Sequence, residues 1–70
     1  MADTLRVRID VQRVRRNMQM HGRELTEAEI QSWLKTVGFT PEADGRTWLT
    51  DAANLRCLDK SEIVEVRPVA

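Results

Sequence analysis

Residues Leu25 to Phe39 (LTEAEIQSWLKTVGF) carry a complete set of local instructions for one α-helix, and they constrain the fold more than any other stretch. Thr26 with Glu29 three positions later is a capping box: the hydroxyl accepts the N–H of Glu29 and the carboxylate accepts the N–H of Thr26. Leu25 and Ile30 occupy the two positions of a hydrophobic staple, which sets how the chain enters the helix. Ile30, Trp33, Leu34 and Val37 recur at helical spacing, with Gln31, Ser32, Lys35 and Thr36 on the other side, so one apolar stripe must be buried. Gly38 is placed to take the left-handed conformation that ends a helix, with Phe39 folding back on Leu34, and Pro41 prevents resumption. Glu27 and Glu29 at the start and Lys35 near the end suit the helix dipole.

That helix needs a sheet or a second helix to cover it, and the flanking sequence offers both. Leu5, Val7, Ile9 and Val11 alternate with Arg6, Arg8, Asp10 and Gln12, the two-residue period of a strand with one buried face. Around Asp10 the period changes: Val11, Val14, Met18 and His21 lie at i, i+3, i+7 and i+10. This predicts a short helix capped by Asp10 and closed by Gly22. Beyond the strong helix, Asp44-Gly45 is a type I′ hairpin dipeptide between a weak arm at Pro41 and Glu42 and a stronger one at Thr47 to Thr50. Thr50 or Asp51 can cap a short helix through Asn54 to Leu58, burying Leu55 and Leu58. A turn at Asp59, Lys60 and Ser61 follows. Val64 and Val66 alternate with Glu65 and Arg67 in a last strand that Pro68 places at a sheet edge or at its own end.

The predicted order is β-α-α-β-β-(short α)-β. It describes a single small α+β domain over residues 1–70, with helices on one face of a mostly antiparallel sheet. The two terminal strands have matching patterns, so Arg6 or Arg8 would lie beside Glu65 if those strands pair. A domain of 70 residues buries only roughly 60% of the surface its unfolded chain exposes, which favours self-association as a way to bury more. A single cysteine, Cys57, rules out an internal disulfide framework and fits a reducing compartment. With no secretory apolar segment and no bilayer-length run, the expected location is the cytoplasm, with no membrane partner.

Catalysis is poorly supported by the residue set. His21 and Cys57 are the only side chains of a nucleophilic pair, and nothing places them together with a third orienting group. His21 reads as a helix C-terminal residue and Cys57 as a small part-buried hydrophobe. One His and one Cys with scattered carboxylates lack the clustered spacing of a metal site. Asp51, Asp59, Glu62 and Glu65 read as a solvated face. The expectation is a protein that is not an enzyme, with no metal, cofactor or small-molecule substrate.

Charge gives a more specific expectation. The chain is neutral overall, but residues 1–25 hold Arg6, Arg8, Arg13, Arg15, Arg16 and Arg23 against Asp3, Asp10 and Glu24. That is six minus three, or +3, and the remainder carries five minus eight, or −3. Nine of the eleven basic residues are arginine, a bias that either GC-rich coding or recognition of phosphate and carboxylate would produce. The leading expectation is a regulatory module that binds nucleic acid, DNA in particular, through Arg6, Arg8, Arg13, Arg15, Arg16 and Arg46. The strand and two helices from Leu5 to Val37, with Arg6 and Arg8 on the strand's polar side and Gly22 between the helices, resemble ribbon-helix-helix dimers. Those proteins place a two-stranded ribbon in the major groove. Trp33 to Trp48 alternatively resembles a helix leading into the wing of a winged-helix domain, with Arg46 at the wing tip. The competing expectation is a protein-interaction module or small antagonist protein, acting as a homodimer or on another protein through an edge strand. Met20, Trp48, Val64, Val66 and Val69 would then supply its exposed apolar groups.

Overall fold

A computed structural model describes residues 4–69. Its elements are β1 (Thr4–Ile9), α1 (Val11–Met20), α2 (Glu27–Val37), β2 (Thr40–Pro41) and β3 (Thr47–Asp51). Two 3-10 segments, Ala52–Cys57 and Lys60–Glu62, then lead to β4 (Ile63–Pro68). The strands form one antiparallel sheet in the order β2-β3-β1-β4. This is the α+β architecture expected from the alternating and helical periods.

The helices form where local chemistry starts and stops them. Asp10 Oδ1 accepts the N–H of Arg13 at 3.1 Å, so the period change at Asp10 is a true helix start. The capping box of α2 is present in both directions, Thr26 N–H to Glu29 at 3.0 Å and Glu29 N–H to Thr26 at 3.2 Å. At the other end Gly38 has φ of 127°, and the N–H groups of Gly38 and Phe39 both donate to the Leu34 carbonyl. A Cβ at Gly38 would lie 2.6 Å from Asn54 Nδ2, so the position excludes a side chain sterically as well as conformationally.

The core is built from Val7, Ile9, Val14, Ile30, Leu34, Phe39, Trp48 and Leu58. Val7 stands at the centre of the sheet, paired with Trp48 on one side and Val66 on the other. Trp48 is only 2% exposed, which corrects its assignment to a surface patch. Its indole is buried because Trp48 stands beside Val7, on the face of the sheet that carries the core. The sheet order corrects both resemblances. A ribbon-helix-helix strand must be free to pair with a second copy, whereas β1 is paired along both edges within the chain. A wing must project, whereas β3 is built into the sheet.

Three finer expectations change. The hairpin at Asp44-Gly45 forms, but only glycines have positive φ among the described residues, so its turn is not type I′. Gly45 N–H instead donates to the Glu42 carbonyl, and the Asp44 carboxylate organises the rest of the loop. Glu62 is 6% exposed and not part of a solvated face. Its carboxylate accepts from Asp59 N–H at 2.7 Å and from Asn17 Nδ2 at 3.0 Å, which ties the second 3-10 segment to α1. Cys57, expected to be part-buried, is exposed at the end of the first 3-10 segment, of which no residue is fully buried. No helix among the described residues is long and apolar enough to cross a membrane.

Candidate anion-binding face of the sheet

The side-chain alternation of β1 decides which residues reach the helix-free face. With Val7 and Ile9 buried among the helices, Arg6 and Arg8 must point to the opposite side. Pairing then aligns other residues beside them: Arg8 stands between Thr47 and Glu65, and Arg6 between Leu49 and Arg67. The β2–β3 loop brings Arg46 to the same region. Arg6, Arg8, Arg46 and Arg67 line one open depression of about 620 Å3, with Asp44, Thr47 and Glu65 among them.

Carboxylates hold three of the four guanidinium groups. Arg6 Nε lies 2.8 Å from Glu42 Oε1, Arg8 Nη1 lies 3.9 Å from Glu65 Oε2, and Arg67 Nε pairs with Glu65 Oε1. The carboxylates are less exposed than the groups they hold. The side chains of Glu42 and Glu65 are 28% and 34% exposed, against 48%, 49% and 75% for Arg6, Arg8 and Arg67. The guanidinium groups are thus the more accessible members of these pairs. Arg6 and Arg67 engage their partners through Nε, and among the described residues no hydrogen bond takes their terminal nitrogens. Counting Glu42, Asp44 and Glu65 against the four arginines leaves +1. Surface pairs of this kind add only about 0–1 kcal/mol each to stability, so their main effect is to orient the arginines.

Asp44 fixes the loop that carries Arg46. Its Oδ1 accepts the N–H groups of Arg46 at 2.9 Å and Thr47 at 2.8 Å, and its Oδ2 accepts the Thr47 hydroxyl. These bonds, the Thr47 hydroxyl first and then the two backbone N–H groups, hold the carboxyl well below the usual range, at about 2. Asp44 is thus a structural anion whose acceptor capacity is spent on the loop.

The structure divides the six arginines expected to act together. Arg6, Arg8 and Arg46 share the outer sheet face. Arg13, Arg15 and Arg16 lie on α1, whose Val14 is in the core beneath the opposite face. Arg13 and Arg16 are exposed, while Arg15 is half-buried, with Nε enclosed and unpartnered among the described residues. Arg67 was not among the expected site residues. Its signal was present in the matched alternation of the terminal strands, which sets Arg67 beside Arg6 once Arg8 pairs with Glu65.

Of the expected apolar contacts, Met20 is 80% exposed on α1, and Val64, Val66 and Val69 are 61%, 41% and 43% exposed on or next to β4. His21 terminates α1 and is exposed. Among the described residues no group of three or more His, Cys, Asp or Glu side chains is placed to hold a metal ion. Comparison with protein-family models, curated proteins and solved structures finds no match for this chain.

Proposed function

We propose that the protein is a non-catalytic binding module whose outer sheet face takes the phosphate backbone of a nucleic acid. The observation that carries this reading is the gathering of Arg6, Arg8, Arg46 and Arg67 around one depression, with Arg6, Arg8 and Arg67 more exposed than the carboxylates that pair with them. Arg6 and Arg8 are two residues apart on one strand, about 7 Å, and their planar donors match phosphate oxygens.

The face also defines what kind of recognition to expect. The chain has two tryptophans, one phenylalanine and no tyrosine; Phe39 and Trp48 are in the core and Trp33 packs against it. No aromatic platform remains on the outer face for base stacking, so contact is with the backbone, sequence-tolerant and dependent on salt.

Titration of labelled mixed-sequence DNA and RNA at low and then rising salt tests this. If three to four phosphates are neutralised, log K should fall with log salt at a slope of roughly −3 to −4 on duplex DNA. Arg46→Ala and Arg67→Ala should each flatten that slope by roughly 1, while Arg13→Ala with Arg16→Ala leaves it unchanged. Absence of binding at tens of micromolar, or a slope that responds only to the α1 pair, overturns the assignment.

A further inference from the structure

Apart from Met20, the exposed large apolar side chains of the described residues belong to one place, the last strand. Val64, Val66 and Val69 lie on or just beyond β4, and β4 pairs with β1 along one edge only. The pattern of that pairing reveals what the open edge offers. Val69 N–H donates to the Thr4 carbonyl at 3.2 Å, and in an antiparallel ladder hydrogen-bonded and non-bonded positions alternate. Arg67 and Glu65, in step with Val69, therefore turn their backbone groups toward β1. Val66 and Pro68 turn theirs to the open edge, which is where a proline can stand without breaking the ladder.

We propose that β4 pairs with β4 of a second copy of this chain, antiparallel, about a two-fold axis through Val66. This register satisfies the side chains and the backbone together. It sets Val66 opposite the partner's Val66 on the inner face, each supplying one N–H and one C=O to the other. On the outer face it sets Glu65 opposite the partner's Arg67, twice by symmetry. A shift by one residue would place Val66 against a charged side chain and mix the two faces. A shift that centres the axis on Pro68 would put a residue without an N–H at the middle of the ladder. The strand is self-complementary in hydrogen bonding and charge, which is the requirement of an isologous interface. The assembly closes at two copies. The other sheet edge is β2, two residues long and ending in Pro41, too short to propagate pairing.

Sedimentation equilibrium of the whole chain from low to high micromolar concentration should show a reversible monomer–dimer transition. Glu65→Arg and Arg67→Glu should each move that transition to roughly tenfold higher concentration or more, because every dimer then carries two like-charged cross-strand pairs. Mixing the two variants should restore dimerisation, since the first variant then offers a basic side chain at both positions and the second an acidic one at both, and every cross-strand pair is again of opposite charge. Val66→Pro should abolish dimerisation while leaving the β1–β4 pairing intact, because it removes only an edge-facing donor; it serves as the test if either charge variant fails to fold by circular dichroism. A parent that stays monomeric at high micromolar concentration, single variants that dimerise like the parent, or a mixture that stays monomeric overturns the proposal. Nucleic-acid binding is not assumed in any arm, so this interface and the arginine face can fail separately.

Discussion

At the scale of single residues, two positions carry demands that substitution exposes directly. Gly38 combines a φ of 127° with a Cβ position 2.6 Å from Asn54 Nδ2. Asn54 donates in turn to the Thr50 hydroxyl, which donates to the Gly38 carbonyl. Gly38→Ala should therefore destabilise the domain by about 1–3 kcal/mol in chemical denaturation, combining backbone strain with disruption of that chain. Asp44 gives a pH signature. Its carboxyl is held at about 2 by the Thr47 hydroxyl and by the N–H groups of Arg46 and Thr47, against an ordinary value of 3.8. A depressed folded-state pKa stabilises above the unfolded value and is lost as pH falls through the folded one. The melting temperatures of the parent and Asp44→Ala should thus differ by a constant amount above about pH 4.5, and the gap should narrow as pH falls through 4 toward 2. A gap independent of pH would mean that the loop does not depend on the ionised carboxylate. Glu29 and Asp59 are also held below the ordinary carboxylate range, by their bonds to Thr26 and Ser61 respectively, so neutral pH favours those caps as well.

At the scale of elements, α2 is where sequence and structure agree most closely. The capping box, the Gly38 ending and the buried Ile30 and Leu34 all follow from interactions within a few residues of one another. Thr26→Ala should cost about 0.5–2 kcal/mol, measured by thermal or chemical unfolding. Trp33 is half-buried and packs against the core, so Trp33→Ala should cost less than the roughly 3–5 kcal/mol of a fully buried aromatic. The strand β1 and the start of α1 at Asp10 were legible for the same local reason. What the sequence concealed depended on partners distant in the chain. Trp48 looked available for the surface because nothing nearby reveals that it pairs with Val7, on the core face of the sheet. Glu62 looked solvated because the Asn17 amide that helps bury it lies 45 residues away. The turn at Asp44-Gly45 formed with a different geometry because the Asp44 carboxylate found two N–H groups and a hydroxyl to accept, an alternative that a dipeptide preference does not weigh.

At the scale of the whole molecule, the sheet order converts a diffuse excess of arginine near the N-terminus into two separate populations on opposite layers. That Arg6 and Arg8 share one face was legible from the alternation of β1, but Arg67 joined them only through the β1–β4 register, and Arg13 and Arg16 left them because Val14 turns α1 toward the core. A neutral chain can in this way present a local cationic face, with Glu42 and Glu65 less exposed than the guanidinium groups that they pair with. Amide chemical-shift mapping of the isotope-labelled protein, titrated with a short mixed-sequence oligonucleotide at low salt, shows where the proposed polyanion contact lies. Contact at the outer sheet face should give the largest shifts at Arg6, Arg8, the Asp44–Thr47 loop and Arg67, with the amides of α1 little changed; shifts centred on Arg13 to Met20, or none anywhere, would contradict contact at that face.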